Sequence, residues 1–131
     1  MSMKRFFIAL FLLFAAPVFA AEGEIPYVTA ATFEAEVAGA TAPVLVQFDA
    51  AWCPYCRAMQ PALKKLHESD TRLKIVKIDA DTDRDLMKRF GVKTLPTMIV
   101  FSNGAEHARR VGRLEEEALF EWADQVSKEF K

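Results

Sequence analysis

Soft metal ligands are scarce in this chain of 131 residues, which has two cysteines and two histidines. A zinc site takes about four ligands. His67 and His107 stand at no recognised ligand spacing from the cysteine pair, so no resident metal is expected. Charge of one sign is missing as well. The 17 basic and 18 acidic residues leave a net charge of −1, without the basic surplus of a nucleic-acid binder or a polybasic membrane patch. The apolar run over residues 6–19 is 14 residues long, short of the roughly 20 that span a bilayer. Internal repeats, low-complexity tracts and linkers are absent, which points to one domain.

What is present begins with that apolar run. Lys4 and Arg5 precede it, and Val18-Phe19-Ala20 closes it on a small residue. This is the three-part pattern of a secretory signal, so residues 1–20 are expected to be cleaved and residues 21–131 to form the mature domain. Without Lys4 and Arg5, 15 basic residues face 18 acidic ones, a balance of −3. Export to the periplasm is the expected location.

Apolar patterning then gives a coarse map. Thr29 or Thr32 can cap a first helix ending near Ala38, with Phe33 and Val37 on one face. Residues 44–48 are a continuous apolar run suited to a strand covered on both sides. A helix is expected from Cys53 to about residue 68, a strand over 73–79, and a helix over 83–90 stopped by Gly91. A strand over 97–101, a turn at Ser102-Asn103-Gly104, a returning strand over 105–111 and a final amphipathic helix over 115–130 complete the chain. The order β-α-β-α-β-α-β-β-α implies an α/β fold, a central mixed sheet with helices on both faces. Asp79, Asp81, Asp83 and Asp85 alternate like the start of a calcium loop, but Arg84 replaces the required glycine and Phe90 the final glutamate. They read as an acidic turn.

The two cysteines form Trp52-Cys53-Pro54-Tyr55-Cys56. A disulfide between them closes so short a loop that it contributes little as a staple, and the spacing favours redox exchange. With Cys53 as N-cap, Pro54 occupies the first helical position, where its missing N–H costs nothing. The Cys53 sulfur then accepts from the free Cys56 N–H at the positive end of the helix dipole, which favours the thiolate. Cys56, one turn in, is expected to be shielded. Cys53 is therefore expected to attack a partner disulfide and Cys56 to resolve the mixed disulfide. Trp52 reads as a partly exposed contact platform or a core aromatic.

The ordered set of residues around this pair is similar to the thioredoxin family across nearly all of the mature sequence. It includes Pro61, Lys77, Asp81, Gly91-Val92, Thr94-Leu95-Pro96-Thr97, Asn103-Gly104 and Val111-Gly112. The resemblance implies the thioredoxin fold and thiol–disulfide exchange on protein clients. It also implies a cis Pro96 facing the cysteines, with the Leu95 backbone free to pair with a substrate strand. Trp52, Pro54, Tyr55, Leu95 and Pro96 would then bind substrate. No cofactor is implied, because the electrons reside on the sulfurs; the partners would be thiol or disulfide clients and a membrane thiol carrier, with the chain a monomer. A module that merely binds a client or assembly partner is the alternative.

Two features depart from the family. The buried carboxylate usually found six residues before the first cysteine is Gln47 here, which cannot titrate. Asp49 lies two residues on, on the same side of an extended strand. It reads either as a substitute or as an exposed acid at the strand edge. Lys77 with Gln47 or Asp49 is expected to tune the buried face. The Pro54-Tyr55 dipeptide resembles glutaredoxins and some disulfide isomerases more than ordinary thioredoxins. Related scaffolds span roughly 150 mV in potential, so the direction of exchange is left open.

Overall fold

The computed structural model describes residues 24–130; the expected signal segment lies outside the described residues. Four strands form one sheet: β1 (Val44–Asp49), β2 (Lys74–Asp79), β3 (Thr97–Ser102) and β4 (Ala105–Val111). Their order is β2-β1-β3-β4. β1 runs parallel to β2 and antiparallel to β3, and β3 is antiparallel to β4. β1 is central and every residue in it is buried, which is why it reads without polar–apolar alternation, its apolar residues interrupted by the buried Gln47 and ending at the buried Asp49.

Three α-helices follow: α1 (Pro54–Ser69), α2 (Arg84–Arg89) and α3 (Glu116–Lys128). Side-chain alternation along β1 divides the core in two. Leu45 packs with Met59, Leu63 and Leu66 of α1 and Leu119 and Trp122 of α3. Val44, Val46 and Phe48 pack on the opposite face with Phe33, Val37 and Leu86. The mixed sheet covered by helices on both faces is the expected architecture.

Two local punctuation marks follow from backbone chemistry. Asn103 (φ 51°) and Gly104 (φ 79°) are both left-handed, the geometry that a two-residue hairpin needs to match strand twist. Gly91 (φ 62°) ends α2. There the N–H groups of Gly91 and Val92 donate to the carbonyls of Lys88 and Met87, closing the last turn.

The N-terminal elements differ from expectation. The leading strand of the nine-element order is reduced to a single parallel bridge between Tyr27 and Lys77. Val28 N–H donates to the Lys77 carbonyl and Lys77 N–H to that of Pro26, both near 2.9 Å. The first helix is a short π-helical segment, Glu34–Ala38, whose N-cap is Phe33 with no side-chain capping bond. Thr29 and Thr32 instead close the preceding turn, with Thr29 N–H donating to Thr32 Oγ1 at 3.0 Å. Phe33 and Val37 are both buried, and the wider π turn, in which Gly39 N–H donates to the Glu34 carbonyl, holds them on the sheet.

Three of the alternating aspartates accept N–H donors of the fold. Asp79 accepts from Asp81 N–H, Asp81 from the Trp52 indole, and Asp83 from Ala30 N–H, all between 2.8 and 3.0 Å.

Candidate active site

Cys53 is the N-cap of α1 and Pro54 its first residue. Cys53 and Cys56 are joined as a disulfide. Cys56 N–H donates to Cys53 Sγ at 3.2 Å, the capping contact that the sequence predicts. Two otherwise orphaned properties of a helix start converge on this sulfur, a free N–H and the positive end of the peptide dipoles. Both sulfur residues are recessed: Cys53 is 2 % exposed and Cys56 1 %. The burial arises because Ala50 and Leu95 pack against the pair.

Cys53 nevertheless opens onto a surface groove of about 620 Å³. Trp52, Pro54, Tyr55, Met87 and Leu95 form its apolar walls. Trp52 and Tyr55 are 63 % and 59 % exposed, so Trp52 is a surface residue of the groove and not a core aromatic. Its indole N–H donates to Asp81 Oδ2 at 2.9 Å, which fixes the ring beside the sulfurs. The Leu95–Pro96 peptide is cis. Leu95 lines the groove, whereas Pro96 is buried and does not line it. Among the described residues the Leu95 N–H and carbonyl make no hydrogen bond, while the Pro96 carbonyl accepts from Gly112 N–H at 2.8 Å.

Behind the cysteines lies a second polar group. Asp49 is 3 % exposed, which decides against the reading as an exposed edge acid. Lys77 Nζ stands 3.4 Å from Asp49 Oδ2, Tyr27 Oη donates to both carboxylate oxygens at 3.4 Å, and Gln60 Nε2 donates to Oδ2 at 3.5 Å. Burial raises the Asp49 pKa above the ordinary carboxylate value, and the Lys77 charge only partly opposes it. Gln60 is four residues after Cys56 on α1, so the two share a helix face. Asp49 thus reaches α1 one turn from Cys56. Tyr27, Gln60 and Lys77 also line a hollow of about 390 Å³ open to solvent, separate from the groove at Cys53.

Gln47 sits between Leu45 and Asp49 on the same face of β1 and is fully buried. Neither its Oε1 nor its Nε2 has a hydrogen-bond partner among the described residues. It pairs in register with Lys77, but the lysine directs its ammonium to Asp49.

A thioredoxin family model matches residues 24–125. The chain belongs to the thioredoxin family. Thioredoxins from Rhodospirillum rubrum and Pseudomonas aeruginosa are each 35% identical to it over 98 residues. The alignments cover 74% of this chain and 94% and 91% of those proteins, respectively. The thioredoxin of Rickettsia bellii is 32% identical over 96 residues, covering 72% of this chain and 91% of that protein. With its Cys-x-x-Cys pair at the start of α1, this thioredoxin-family chain is a thiol–disulfide oxidoreductase. Several members of the site carry no local sequence signal. Gln60, Tyr27 and Met87 look like ordinary helix or turn residues until the fold brings them to Asp49 or to the groove.

Proposed function

We propose that the chain exchanges disulfides with protein clients in the periplasm, using Cys53 as nucleophile, Cys56 as resolving thiol and Asp49 as the proton acceptor for Cys56. The capping contact carries this reading: a sulfur at a helix N-terminus that already accepts an N–H is the better thiolate of the two. In the reducing direction, Cys53 S⁻ attacks one client sulfur. The client S–S bond breaks and its other sulfur leaves as a thiolate that takes up a proton. Cys56 passes its proton to Asp49 and attacks Cys53 Sγ. The Cys53–Cys56 bond forms, the mixed disulfide breaks, and the second client thiolate is released and protonated. Two electrons and two protons reach the client. The same steps reversed oxidise a dithiol, and the partner's potential sets the direction.

Leu95 contributes the unpaired backbone for an incoming client strand, Pro96 shapes that segment from below, and Trp52, Pro54 and Tyr55 contact the client. Lys77 limits how far burial raises the Asp49 pKa. The hollow beside Tyr27 and Gln60 gives the carboxyl a route to exchange its proton with water. Export is supported by Lys4, Arg5 and the apolar run ending at Val18-Phe19-Ala20. A membrane thiol carrier resets the pair after each client, and one chain suffices because it supplies every element of the site.

The test is mixed-disulfide trapping on non-reducing gels. Cys56→Ala should accumulate the client adduct and Cys53→Ala should form none; equal trapping by both would overturn the assignment of roles. Insulin reduction no faster with the native chain than with Cys53→Ser would leave only a client-binding scaffold.

A further inference from the structure

The rim of the groove at Cys53 carries an excess of positive charge that runs against the chain as a whole. Arg84, Lys88 and Lys93 line it, and all three are exposed. Among the described residues none of them belongs to an ion pair, whereas Arg89 on the same helix is bound by Glu34 at 2.8 Å. Arg84 and Lys88 are one turn apart on α2, where like charges repel. Asp81 is the acid among the lining residues, and one of its oxygens is held by the Trp52 indole. The chain nevertheless has a net charge of −1. Cationic side chains that lack partners, set around an apolar trough, match a partner that brings the missing negative charge.

We propose that this groove selects protein clients in which the reacting cysteine has an apolar neighbour and acidic residues flank it. This rests on the redox reading of Cys53 above. The apolar neighbour lies against Trp52, Tyr55 and Met87, and the flanking carboxylates meet Lys88, Lys93 and Arg84. Apolar walls with a few placed charges are the ordinary make-up of a specific binding site. Rim charges act chiefly on the association rate, and steering of this kind raises on-rates by roughly 10- to 1,000-fold at low salt.

The experiment compares two disulfide-bonded peptides that are identical apart from aspartate or lysine flanks, with the neutral compound 2-hydroxyethyl disulfide alongside. At low salt the native protein, reduced to the dithiol beforehand and followed through a single turnover, should reduce the acidic peptide with a second-order rate constant at least about 10-fold above that for the basic one. The ratio should fall towards one near 1 M salt, where the screening length is about 3 Å. In Arg84→Glu/Lys88→Glu/Lys93→Glu the preference should invert. Equal rates for the two peptides with the native protein, or a preference insensitive to salt, overturn the proposal while leaving the redox reading intact. Failure to exchange with either peptide or with 2-hydroxyethyl disulfide removes the redox reading itself, and the client proposal with it.

Discussion

Replacing Gln47 by methionine should stabilise the protein. The amide lies in the central strand at 0 % exposure, with both polar atoms unpartnered among the described residues. An amide buried without a compensating hydrogen bond costs about 1–3 kcal/mol on scales taken from protein variants. Methionine has a similar length and no branching, so it can occupy the same space with small adjustment, and a swap that conserves volume costs less than about 1.5 kcal/mol. The difference leaves a net gain on the order of 1–2 kcal/mol. For a domain of about 100 residues this corresponds to a rise in Tm of roughly 5–15 °C. Thermal unfolding of the oxidised protein, followed by circular dichroism, reads it directly. Gln47→Glu is the opposing control, because a carboxyl at the same buried position adds a charge to the cost. An unchanged or lowered Tm for Gln47→Met would refute the reasoning, since it would mean that the amide is satisfied in the folded protein.

Asp49→Asn should slow resolution of the mixed disulfide by roughly 100-fold, the lower end of what a placed proton acceptor contributes. In the native protein that step should accelerate as pH rises through the elevated Asp49 pKa, and in the variant this dependence should be gone. Stopped-flow release of a fluorescent client thiolate measures both, and an unchanged pH profile would exclude Asp49 as the acceptor. Asp49 should also mark the pH dependence of stability. Its folded pKa lies above the unfolded value of 3.8, so its contribution is fully present below pH 3.8 and is lost as pH rises through the folded pKa. Asp70 has the opposite sign. Arg72 holds its carboxyl below the ordinary value through a hydrogen bond, so the stabilisation is present above the unfolded pKa and disappears as pH falls through the folded one. Arg72→Met should therefore be less stable than the native chain at pH 7 and converge with it in acid, as urea unfolding at a series of pH values would register. A gap that persists at the lowest pH would assign the effect to lost packing of the arginine stem.

Much of the site was legible because its signals are local. Cys53 as N-cap, Pro54 as the first helical residue and the shielding of Cys56 follow from spacing within one turn, and the N–H contact to Cys53, the start of α1 at Pro54 and the burial of Cys56 bear them out in turn. β1 was legible from five consecutive apolar or amide residues, and the hairpin from Asn103-Gly104. Trp52, Tyr55 and Leu95 of the groove and the Asp49–Lys77 pair were named through the family resemblance, but Met87, Tyr27 and Gln60 were not legible, because their contacts join distant parts of the chain. Trp52 meets Asp81 across 29 residues and Tyr27 meets Asp49 across 22, and hydrophobic periodicity carries no information at that range. The N-terminal segment failed for a different reason. Thr29 and Thr32 are good capping residues, but their hydroxyls closed the turn before the helix and left Phe33 to start it.

The two unusual residues of β1 make physical sense only together. Position 47 lies opposite Lys77 in the register, so a carboxylate there could draw on the lysine alone, deep in the core. Two residues along the strand, about 6.6 Å nearer its end, the same face meets Tyr27 and Gln60 as well as the lysine ammonium. An acid at 49 therefore has three partners and a neighbouring hollow that opens to water, and Lys77 can serve it from β2 without moving. Once Asp49 holds that ammonium, a second carboxylate at 47 would compete for one cation at close range and pay the desolvation cost of a buried charge with no counterion. A neutral residue at 47 is the consequence. Glutamine meets the requirement of neutrality, but it leaves its amide unpaired, and that residual cost is what methionine at 47 should remove.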